Sequence, residues 1–303
     1  MAAPEDSAAI HTEGLTKAFG SLRAVDGLSM TVPRGEIFGF LGPNGAGKTT
    51  SVKMLVGLSA PTSGRAWLLG KPIGDTATRA RIGYLPELFR YQGWMSAFEV
   101  LHLHCQLAGL PVASHQDEVE KALVTVGLAD RAHDRVSTFS KGMQQRLGLG
   151  VALLGNPELV FLDEPTSALD PVGRKDVRDI ILGLKNRGIT VFLNSHLLSE
   201  VQQVCDRVAV VDRGRVVASG PMQELLGANH VRVELEGPGE AARSAAAPFG
   251  AVEQGEGWLS VSGIGQERVP DLIAALVAAG ARITAVARTQ TTLEERFLEV
   301  VER

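Results

Sequence analysis

The sequence predicts an α/β domain over residues 1–220 and a smaller α+β domain over residues 221–303. Short apolar runs alternate with longer helical patterns as far as Gly220, which is typical of a largely parallel sheet covered by helices. Beyond Gly220 alanine becomes dense and weak strand patterns return, and no lysine follows Lys185. These changes in composition place the domain boundary near Gly220.

Composition excludes several classes of protein. The 303 residues are 45% hydrophobic and 21% charged with a net charge of -4, which predicts a globular chain and argues against a nucleic-acid partner. Two cysteines a hundred positions apart form neither a disulfide framework nor a CxxC metal motif, so we expect a reducing compartment. The acidic N-terminus does not resemble a signal peptide. Since no run approaches the roughly 20 apolar residues that a spanning helix needs, we expect neither a secreted nor an integral membrane protein.

Buried strands are predicted where the apolar runs are nearly continuous. Residues 36–41, 159–162 and 189–193 have this character, which is typical of parallel strands with both faces covered. Residues 208–218 predict a hairpin with a glycine-containing turn. Residues 10–32 predict two antiparallel strands around the turn Gly20-Ser21.

The second domain is predicted to contain strands and helices in the order βαββαβ. The predicted strands are 231–236, 251–253, 258–261 and 282–287, and the predicted helices are 240–247 and 267–279. A last helix is predicted from Thr292, which forms a capping-box pattern with Glu295. This order suggests a ferredoxin-like fold.

A phosphate-binding loop follows the first buried strand and opens a helix predicted over 48–57. The loop fits G-x-x-x-x-G-K-[ST] in full with Gly42, Pro43, Asn44, Gly45, Ala46, Gly47, Lys48 and Thr49, and Thr50 follows it. Glycines allow backbone N–H groups to surround an anion, and the helix N-terminus adds partial positive charge. Lys48 can reach the β- and γ-phosphates, and the Thr49 hydroxyl can complete a Mg²⁺ shell. The motif in this context indicates a nucleoside triphosphate site rather than a chance glycine-rich turn.

Two adjacent carboxylates end the second buried strand. Asp163 can hold Mg²⁺ opposite Thr49, and Glu164 can polarise a water for attack on the γ-phosphorus. Consecutive acids at a strand end are often only a solvated turn, but the phosphate loop favours the catalytic interpretation. A water-polarising base favours hydrolysis over phosphoryl transfer to a second substrate.

Three further segments complete a set of motifs. They are Phe139-Ser140-Lys141-Gly142-Met143-Gln144-Gln145-Arg146, Ser167-Ala168-Leu169-Asp170 and Asn194-Ser195-His196. With the phosphate loop and the acidic strand end, they resemble the full motif set of an ABC-transporter ATPase subunit. The resemblance covers roughly residues 8–220. It implies a P-loop fold with a mixed sheet core, an antiparallel N-terminal subdomain and a helical subdomain over about residues 88–155.

The resemblance also implies roles for individual residues. Ser140 and Gly142 are expected to contact the γ-phosphate bound by the other protomer, and Asp170 is expected to belong to the same nucleotide site. His196 resembles the switch histidine that contacts the γ-phosphate. The segment 139–143 departs from the usual LSGGQ at Lys141 and Met143 and resembles the SKGM-type signature of an export-type branch.

Two residues stand where the family usually has another. In Tyr84-Leu85-Pro86-Glu87, Glu87 occupies the place of a glutamine whose oxygen serves Mg²⁺ or the attacking water. Phe19 occupies the place of a tyrosine that stacks on adenine, and it keeps the stacking face. A core phenylalanine in the first strand is the alternative interpretation of Phe19.

Aromatic residues are concentrated in one short stretch. Of 15 Phe, Tyr and Trp residues, five lie within residues 84–98, namely Tyr84, Phe89, Tyr91, Trp94 and Phe98. Pro86 and Gly93 interrupt the stretch, which predicts a loop and therefore a protein interface with aromatic anchors. In the family, a helix of the membrane subunit docks here. The alternative is a loop collapsed on its own aromatics.

The sequence therefore predicts an ATP-hydrolysing subunit that uses ATP and Mg²⁺. The resemblance implies a head-to-tail homodimer or a dimer with a paralogous subunit, attached to a separate transmembrane permease at the cytoplasmic face of the membrane. It further implies export of a drug, lipid or polysaccharide. A soluble ABC-type ATPase acting in translation or DNA repair is the alternative, although neither a second ATPase cassette nor a long coiled coil is present. A small-molecule kinase would lack the signature segment and His196.

Overall fold

The structure is a computed structural model that describes residues 8–167, 169–226, 230–237, 239–289 and 293–301. The chain divides at Gly220 into two compact units. Within the described ranges, no helix has both the length and the apolar character needed to cross a lipid bilayer.

The first unit contains strands and helices with the following bounds. The strands are β1 (Ala8–Phe19), β2 (Leu22–Pro33), β3 (Ile37–Leu41), β4 (Ser63–Leu68), β5 (Lys71–Pro72), β6 (Ile82–Leu85), β7 (Leu159–Asp163), β8 (Thr190–Asn194), β9 (Arg207–Asp212) and β10 (Arg215–Pro221). The helices are α1 (Lys48–Leu55), α2 (Thr76–Arg79), α3 (Ala97–Leu107), α4 (His115–Thr125), α5 (Lys141–Ala152), α6 (Pro171–Asn186) and α7 (Leu198–Val204).

Six strands form a sheet ordered β10-β9-β3-β8-β7-β6. Parallel pairing joins β3 to β8 and β9, and β7 to β6 and β8. Every residue of β3, β7 and β8 is buried, which confirms the three predicted apolar strands. The ring of Phe192 lies 5.8 Å from that of Phe38 and 5.3 Å from that of Phe161, so aromatic packing ties the three strands together. The carboxyl ends of these strands meet at one edge of the sheet.

A second sheet, ordered β2-β1-β4-β5, is antiparallel. Strand β1 ends at Phe19 and β2 begins at Leu22, which confirms the predicted turn at Gly20-Ser21. The predicted hairpin over 208–218 is also confirmed as β9 and β10.

Helices α3, α4 and α5 lie between strands β6 and β7 in the sequence. Helix α3 begins with a capping box, in which the Glu99 amide donates to Ser96 Oγ (3.2 Å) and the Ser96 amide donates to Glu99 Oε2 (2.7 Å). Leu101, Leu123 and Leu147 are buried, one on each helix. This packing places the N-terminus of α5, where the signature segment lies, on a rigid element.

The second unit contains the predicted order of elements. It comprises α8 (Met222–Leu226), β11 (His230–Glu236), α9 (Gly239–Ala246), β12 (Ala251–Gly255), β13 (Trp258–Ser262), α10 (Val269–Ala278), β14 (Arg282–Thr289) and α11 (Leu293–Val301). Its antiparallel sheet is ordered β12-β13-β11-β14. Val233, Leu259 and Leu272 are fully buried in a core between the sheet and the helices. Thr292, the predicted cap of the last helix, lies outside the described residues.

A close approach between β6 and α5 gives a test of this packing. A Cβ atom on Gly83 would lie 1.9 Å from the carbonyl oxygen of Ala152. Gly83→Ala is therefore expected to lower the free energy of unfolding by about 1–3 kcal/mol or more, because backbone must move to admit the methyl group. Urea denaturation measures the loss.

Gly183 is the matched control. It lies within α6, and a Cβ atom there would meet nothing within 4 Å. Gly183→Ala is expected to raise the free energy of unfolding by up to about 1 kcal/mol through helix propensity. Equal effects of the two substitutions would contradict the close contact between β6 and α5.

Candidate functional site

The phosphate loop, residues 42–47, joins buried strand β3 to helix α1 at the carboxyl edge of the parallel sheet. Lys48, the first residue of α1, is 7% exposed. Its Nζ atom donates to the carbonyl oxygens of Gly42 (2.8 Å) and Pro43 (3.2 Å). The ammonium group is thus held under the loop, and these contacts fix its position before any ligand binds.

Two glycines of the loop admit no side chain. A Cβ atom on Gly42 would lie 2.2 Å from the Val211 carbonyl oxygen, and one on Gly47 would lie 2.1 Å from the Ala24 carbonyl oxygen. Gly47 also has φ 94°, in the left-handed region that favours glycine. The fold therefore requires glycine at both ends of the loop, independently of any ligand.

Burial lowers the pKa of the Lys48 ammonium, and the negative charges of Glu164, Asp163 and Glu87 oppose that shift. The three carboxylates thus surround the lysine closely enough to act on it electrostatically. An anionic ligand at the loop would stabilise the charged form of Lys48 in place of the hydration that burial has removed.

Asp163 ends β7 and is fully buried. Its Oδ1 atom accepts a hydrogen bond from Asn194 Nδ2, and in the described part of the chain its Oδ2 atom has no partner. Burial raises the pKa of the carboxyl group, whereas the hydrogen bond from Asn194 lowers it. A buried carboxylate with one free oxygen suits a cation or a water bound to one.

Glu164 follows β7 with φ 53°, an uncommon conformation for a residue other than glycine. Its amide donates to the Asn194 carbonyl oxygen (2.9 Å). Its Oε2 atom accepts a hydrogen bond from His196 Nδ1 (2.7 Å). The hydrogen bond from His196 therefore fixes the Glu164 carboxylate, and the amide hydrogen bond holds the backbone in its uncommon conformation.

Most of the predicted site residues line one cavity of about 400 Å³, which we name the phosphate-loop cavity. Its lining comprises Ala24, Asn44, Gly45, Gly47, Lys48, Thr49, Thr50, Glu87, Glu164, Asn194 and His196. Gly42, Pro43 and Ala46 belong to the loop without lining the cavity. The sequence predicts no role for Ala24 or Asn194, although Asn194 belongs to the segment Asn194-Ser195-His196.

The donors present fit a Mg²⁺ ion that is shared with a ligand. Thr49 lines the phosphate-loop cavity, and the free oxygen of Asp163 lies among buried groups. Across the described residues, no three His, Cys, Asp or Glu side chains converge on one metal position. This sparse set is typical of Mg²⁺, which commonly takes one or two protein ligands together with phosphate oxygens and water.

Ser140, Gly142 and Asp170 lie in a second cavity of about 400 Å³ and not in the first. Ser140 caps α5, and its Oγ atom accepts from the Met143 amide (3.2 Å). Asp170 caps α6, and its Oδ1 atom accepts from the Gly173 amide (2.8 Å). One chain therefore carries two separate groups of predicted nucleotide contacts.

Phe19 lies at the end of β1 and is 55% exposed, so the alternative of a core phenylalanine is wrong. Its ring carries the Lys17 ammonium 5.0 Å from the centroid and does not line the phosphate-loop cavity. A flat aromatic face is thus available at the surface.

The aromatic stretch 84–98 is less loop-like than the sequence predicts, since Tyr84 lies in β6 and Phe98 in α3. The ring of Tyr91 lies 5.3 Å from that of Phe89 and 5.6 Å from that of His104. Trp94, in contrast, is 71% exposed. Local packing thus explains most of the stretch, and Trp94 is its exposed aromatic anchor. A groove of about 270 Å³ lies beside it, lined by Trp94, Met95, Phe98, Glu99, His102, Leu103 and Gln106.

Asp163 gives a test of the site's electrostatics. Because burial raises its pKa above the usual 3.8, the ionised form is less favourable in the folded chain than in the unfolded one. Asp163→Asn is expected to raise the free energy of unfolding of the ligand-free protein by about 1 kcal/mol at pH 7. The gain is expected to shrink as the pH falls towards 3.8, since the wild-type carboxyl then becomes neutral.

Chemical denaturation at several pH values measures this difference. Exposed Asp179 on α6 is the control, and Asp179→Asn is expected to change stability by no more than a few tenths of a kcal/mol. A destabilising effect of Asp163→Asn at pH 7 would contradict the burial penalty.

Comparison with known proteins extends this description. The sequence profile of the ABC transporter family matches residues 25–167. An uncharacterised ABC transporter ATP-binding protein of Nostoc sp. is 40% identical over 92% of this chain and 84% of its own length. The bacitracin transport ATP-binding protein BcrA of Bacillus licheniformis is 41% identical over 76% and 75%. The daunorubicin/doxorubicin resistance ATP-binding protein DrrA of Streptomyces peucetius is 38% identical over 75% and 70%.

Solved structures agree with these relatives. An ATP-binding cassette of an ABC transporter in its ADP conformation superposes with a TM-score of 0.64 at 26% identity, covering 71% of this chain and 91% of the other. The chain belongs to the ATP-binding proteins of ABC transporters.

Proposed function

We propose that this chain binds Mg²⁺-ATP in the phosphate-loop cavity and hydrolyses it to energise export through a separate transmembrane protein. The main observation in support of this function is that Lys48, Glu164 and His196 line one cavity. An anion cradle, a carboxylate and a histidine that holds it are the parts that hydrolysis of a phosphoanhydride requires.

The loop binds the phosphates through its backbone N–H groups, and Lys48 adds a positive charge that is already held in place. Thr49, Asp163 and Glu87 would hold Mg²⁺, which would supply positive charge against the negative charge that develops on the phosphate oxygens. Phe19 offers its exposed ring to the adenine.

Glu164 accepts a proton from the attacking water. Its carboxylate lines the cavity and accepts a hydrogen bond from His196 Nδ1. When the imidazole carries both protons, its other ring nitrogen can donate to the γ-phosphate. Orientation of the base by a neighbouring group is the general arrangement of acid–base sites.

The separation of the two cavities supports a dimer. Ser140, Gly142 and Asp170 line the second cavity, away from the phosphate loop of their own chain, and we propose that they complete the nucleotide site of another protomer. That protomer is a second copy or a paralogous subunit. In such an arrangement ATP joins the protomers, and its hydrolysis releases them.

Export is supported by what the relatives are named for, since BcrA is a bacitracin transport protein and DrrA a daunorubicin/doxorubicin resistance protein. The segment Ser140-Lys141-Gly142-Met143 supports the same branch. Trp94 and the groove beside it offer an exposed surface for the transmembrane partner. We propose that the chain acts at the cytoplasmic face of the membrane, attached to that partner.

For residues 221–303 we propose a ferredoxin-like accessory domain. Numbered within the unit, its strands lie in the order 2-3-1-4, all antiparallel, with the element order βαββαβ. This order supports the fold assignment and leaves the ATPase domain at residues 1–220.

Glu164→Gln tests the catalytic assignment. The amide keeps the size of the side chain and cannot accept the proton, so ATP turnover is expected to fall about 100-fold or more while ATP affinity changes little. Phosphate release and binding of a fluorescent ATP analogue measure the two quantities. Exposed Glu256 is the control, and Glu256→Gln is expected to retain full turnover. Full turnover in Glu164→Gln would remove Glu164 from its role as base without touching the family assignment.

Trp94→Ala tests the docking surface. Loss of an exposed aromatic anchor is expected to weaken association with the transmembrane partner about tenfold or more, with ATP binding unchanged. Copurification with a co-expressed transmembrane protein encoded beside this chain measures the association. Leu107→Ala is the control, because Leu107 is 72% exposed at the C-terminal end of α3. Undiminished copurification of Trp94→Ala would refute the docking assignment.

A further inference from the structure

Asn194 occupies a central position that the sequence motifs leave without a role. It is the last residue of β8 and is fully buried. In the parallel ladder it pairs with Asp163 of β7 on one side and with Phe40 of β3 on the other. Asn194 therefore lies between the strand that leads into the phosphate loop and the strand that ends in the two acids.

Both acids are held by this one residue. The side-chain Nδ2 atom of Asn194 donates to Asp163 Oδ1. The backbone carbonyl oxygen of Asn194 accepts from the Glu164 amide at 2.9 Å, where Glu164 has its positive φ. The side chain and the backbone of Asn194 thus fix Asp163 and Glu164 separately, and a substitution at Asn194 removes only the side-chain contact.

One buried oxygen on each side chain of this hydrogen-bonded pair lacks a donor. In the described part of the chain, neither Asn194 Oδ1 nor Asp163 Oδ2 has a hydrogen-bond partner. Buried polar atoms are normally satisfied by protein or water. Since an amide oxygen and the oxygens of an ionised carboxylate only accept hydrogen bonds, they cannot satisfy each other, and a group that completes the ionised pair supplies hydrogen-bond donors or positive charge. Asn194 lines the phosphate-loop cavity together with Lys48 and Thr49, so that group is available from a ligand in the cavity.

We propose that Asn194 is a positioning residue for the metal of the bound nucleotide. Its amide NH₂ holds Asp163 with one oxygen free for the ion, and its own side-chain oxygen accepts a hydrogen bond from the ion's hydration shell. This inference rests on the proposed function of the phosphate-loop cavity. Outer contacts of this kind commonly change metal affinity by about 10- to 100-fold.

The test separates metal affinity from nucleotide affinity in the full chain. Asn194→Leu removes both polar groups at similar size, and Asn194→Ala removes them with less steric demand. Titration of Mn²⁺ in the presence of a non-hydrolysable ATP analogue, followed by electron paramagnetic resonance, measures metal affinity. Binding of the same analogue in EDTA measures nucleotide affinity without metal. Both variants are expected to bind Mn²⁺ about tenfold more weakly and to bind the analogue in EDTA within about twofold of wild type.

Thr190→Val is the matched control. Thr190 begins the same strand, is equally buried, and accepts a hydrogen bond from the Gly35 amide at 2.9 Å. The substitution removes a buried hydrogen bond at the opposite end of β8 from Asn194. Thr190→Val is therefore expected to leave Mn²⁺ affinity unchanged.

Two results would overturn the inference alone. One is wild-type Mn²⁺ affinity in the Asn194 variants. The other is an equal loss of analogue binding with and without metal, which would indicate a purely structural role. A wild-type chain that binds no analogue under either condition would overturn the proposed function and this inference with it.

Discussion

The parallel pairing of β7 with β8 is the constraint on which the site depends. Its register places Asp163 beside Asn194 at the ends of the two strands. A shift of one residue would turn every side chain to the other face of the sheet and could put Leu162 or Leu193 in the place of the polar group that follows it. The aromatic contacts of Phe192 with Phe38 and Phe161 make such a shift costly, because all three rings are buried. The hydrophobic core thus determines which polar groups meet at the sheet edge.

Polar burial at this edge lowers stability and prepares the site for a charged ligand. Asp163 is fully buried and Lys48 nearly so. Burial raises the pKa of Asp163 and lowers that of Lys48, so it favours the neutral form of each. A folded core without function would place apolar groups here. The loop carbonyls that hold Lys48 and the amide that holds Asp163 reduce the reorganisation needed when phosphate and metal arrive.

Local pattern was enough to predict the phosphate loop, the three buried strands and the acidic strand end, because each depends on neighbours in the sequence. The role of Asn194 was not predictable, since its partner Asp163 is 31 positions away and the contact exists only once β7 and β8 pair. The packing of the aromatic stretch was not predictable for a similar reason. The surroundings of Tyr91 include His104 on α3, a contact that composition does not indicate. Long-range packing decides which aromatic side chains remain exposed.

The positive φ of Glu164 connects the fold to the chemistry. At 53° it costs conformational energy of order 1 kcal/mol or more for a residue with a Cβ atom. Glycine would relieve that strain but would lose the carboxylate. Two hydrogen bonds maintain the conformation. The Glu164 amide donates to the Asn194 carbonyl oxygen, and His196 Nδ1 donates to the Glu164 carboxylate. Asn194 ends β8 and His196 follows it, so the chain holds its strained residue through the same strand pair that aligns Asp163. Since an extended conformation would turn consecutive side chains to opposite faces of the sheet, the turn at Glu164 determines how its carboxylate meets the phosphate-loop cavity.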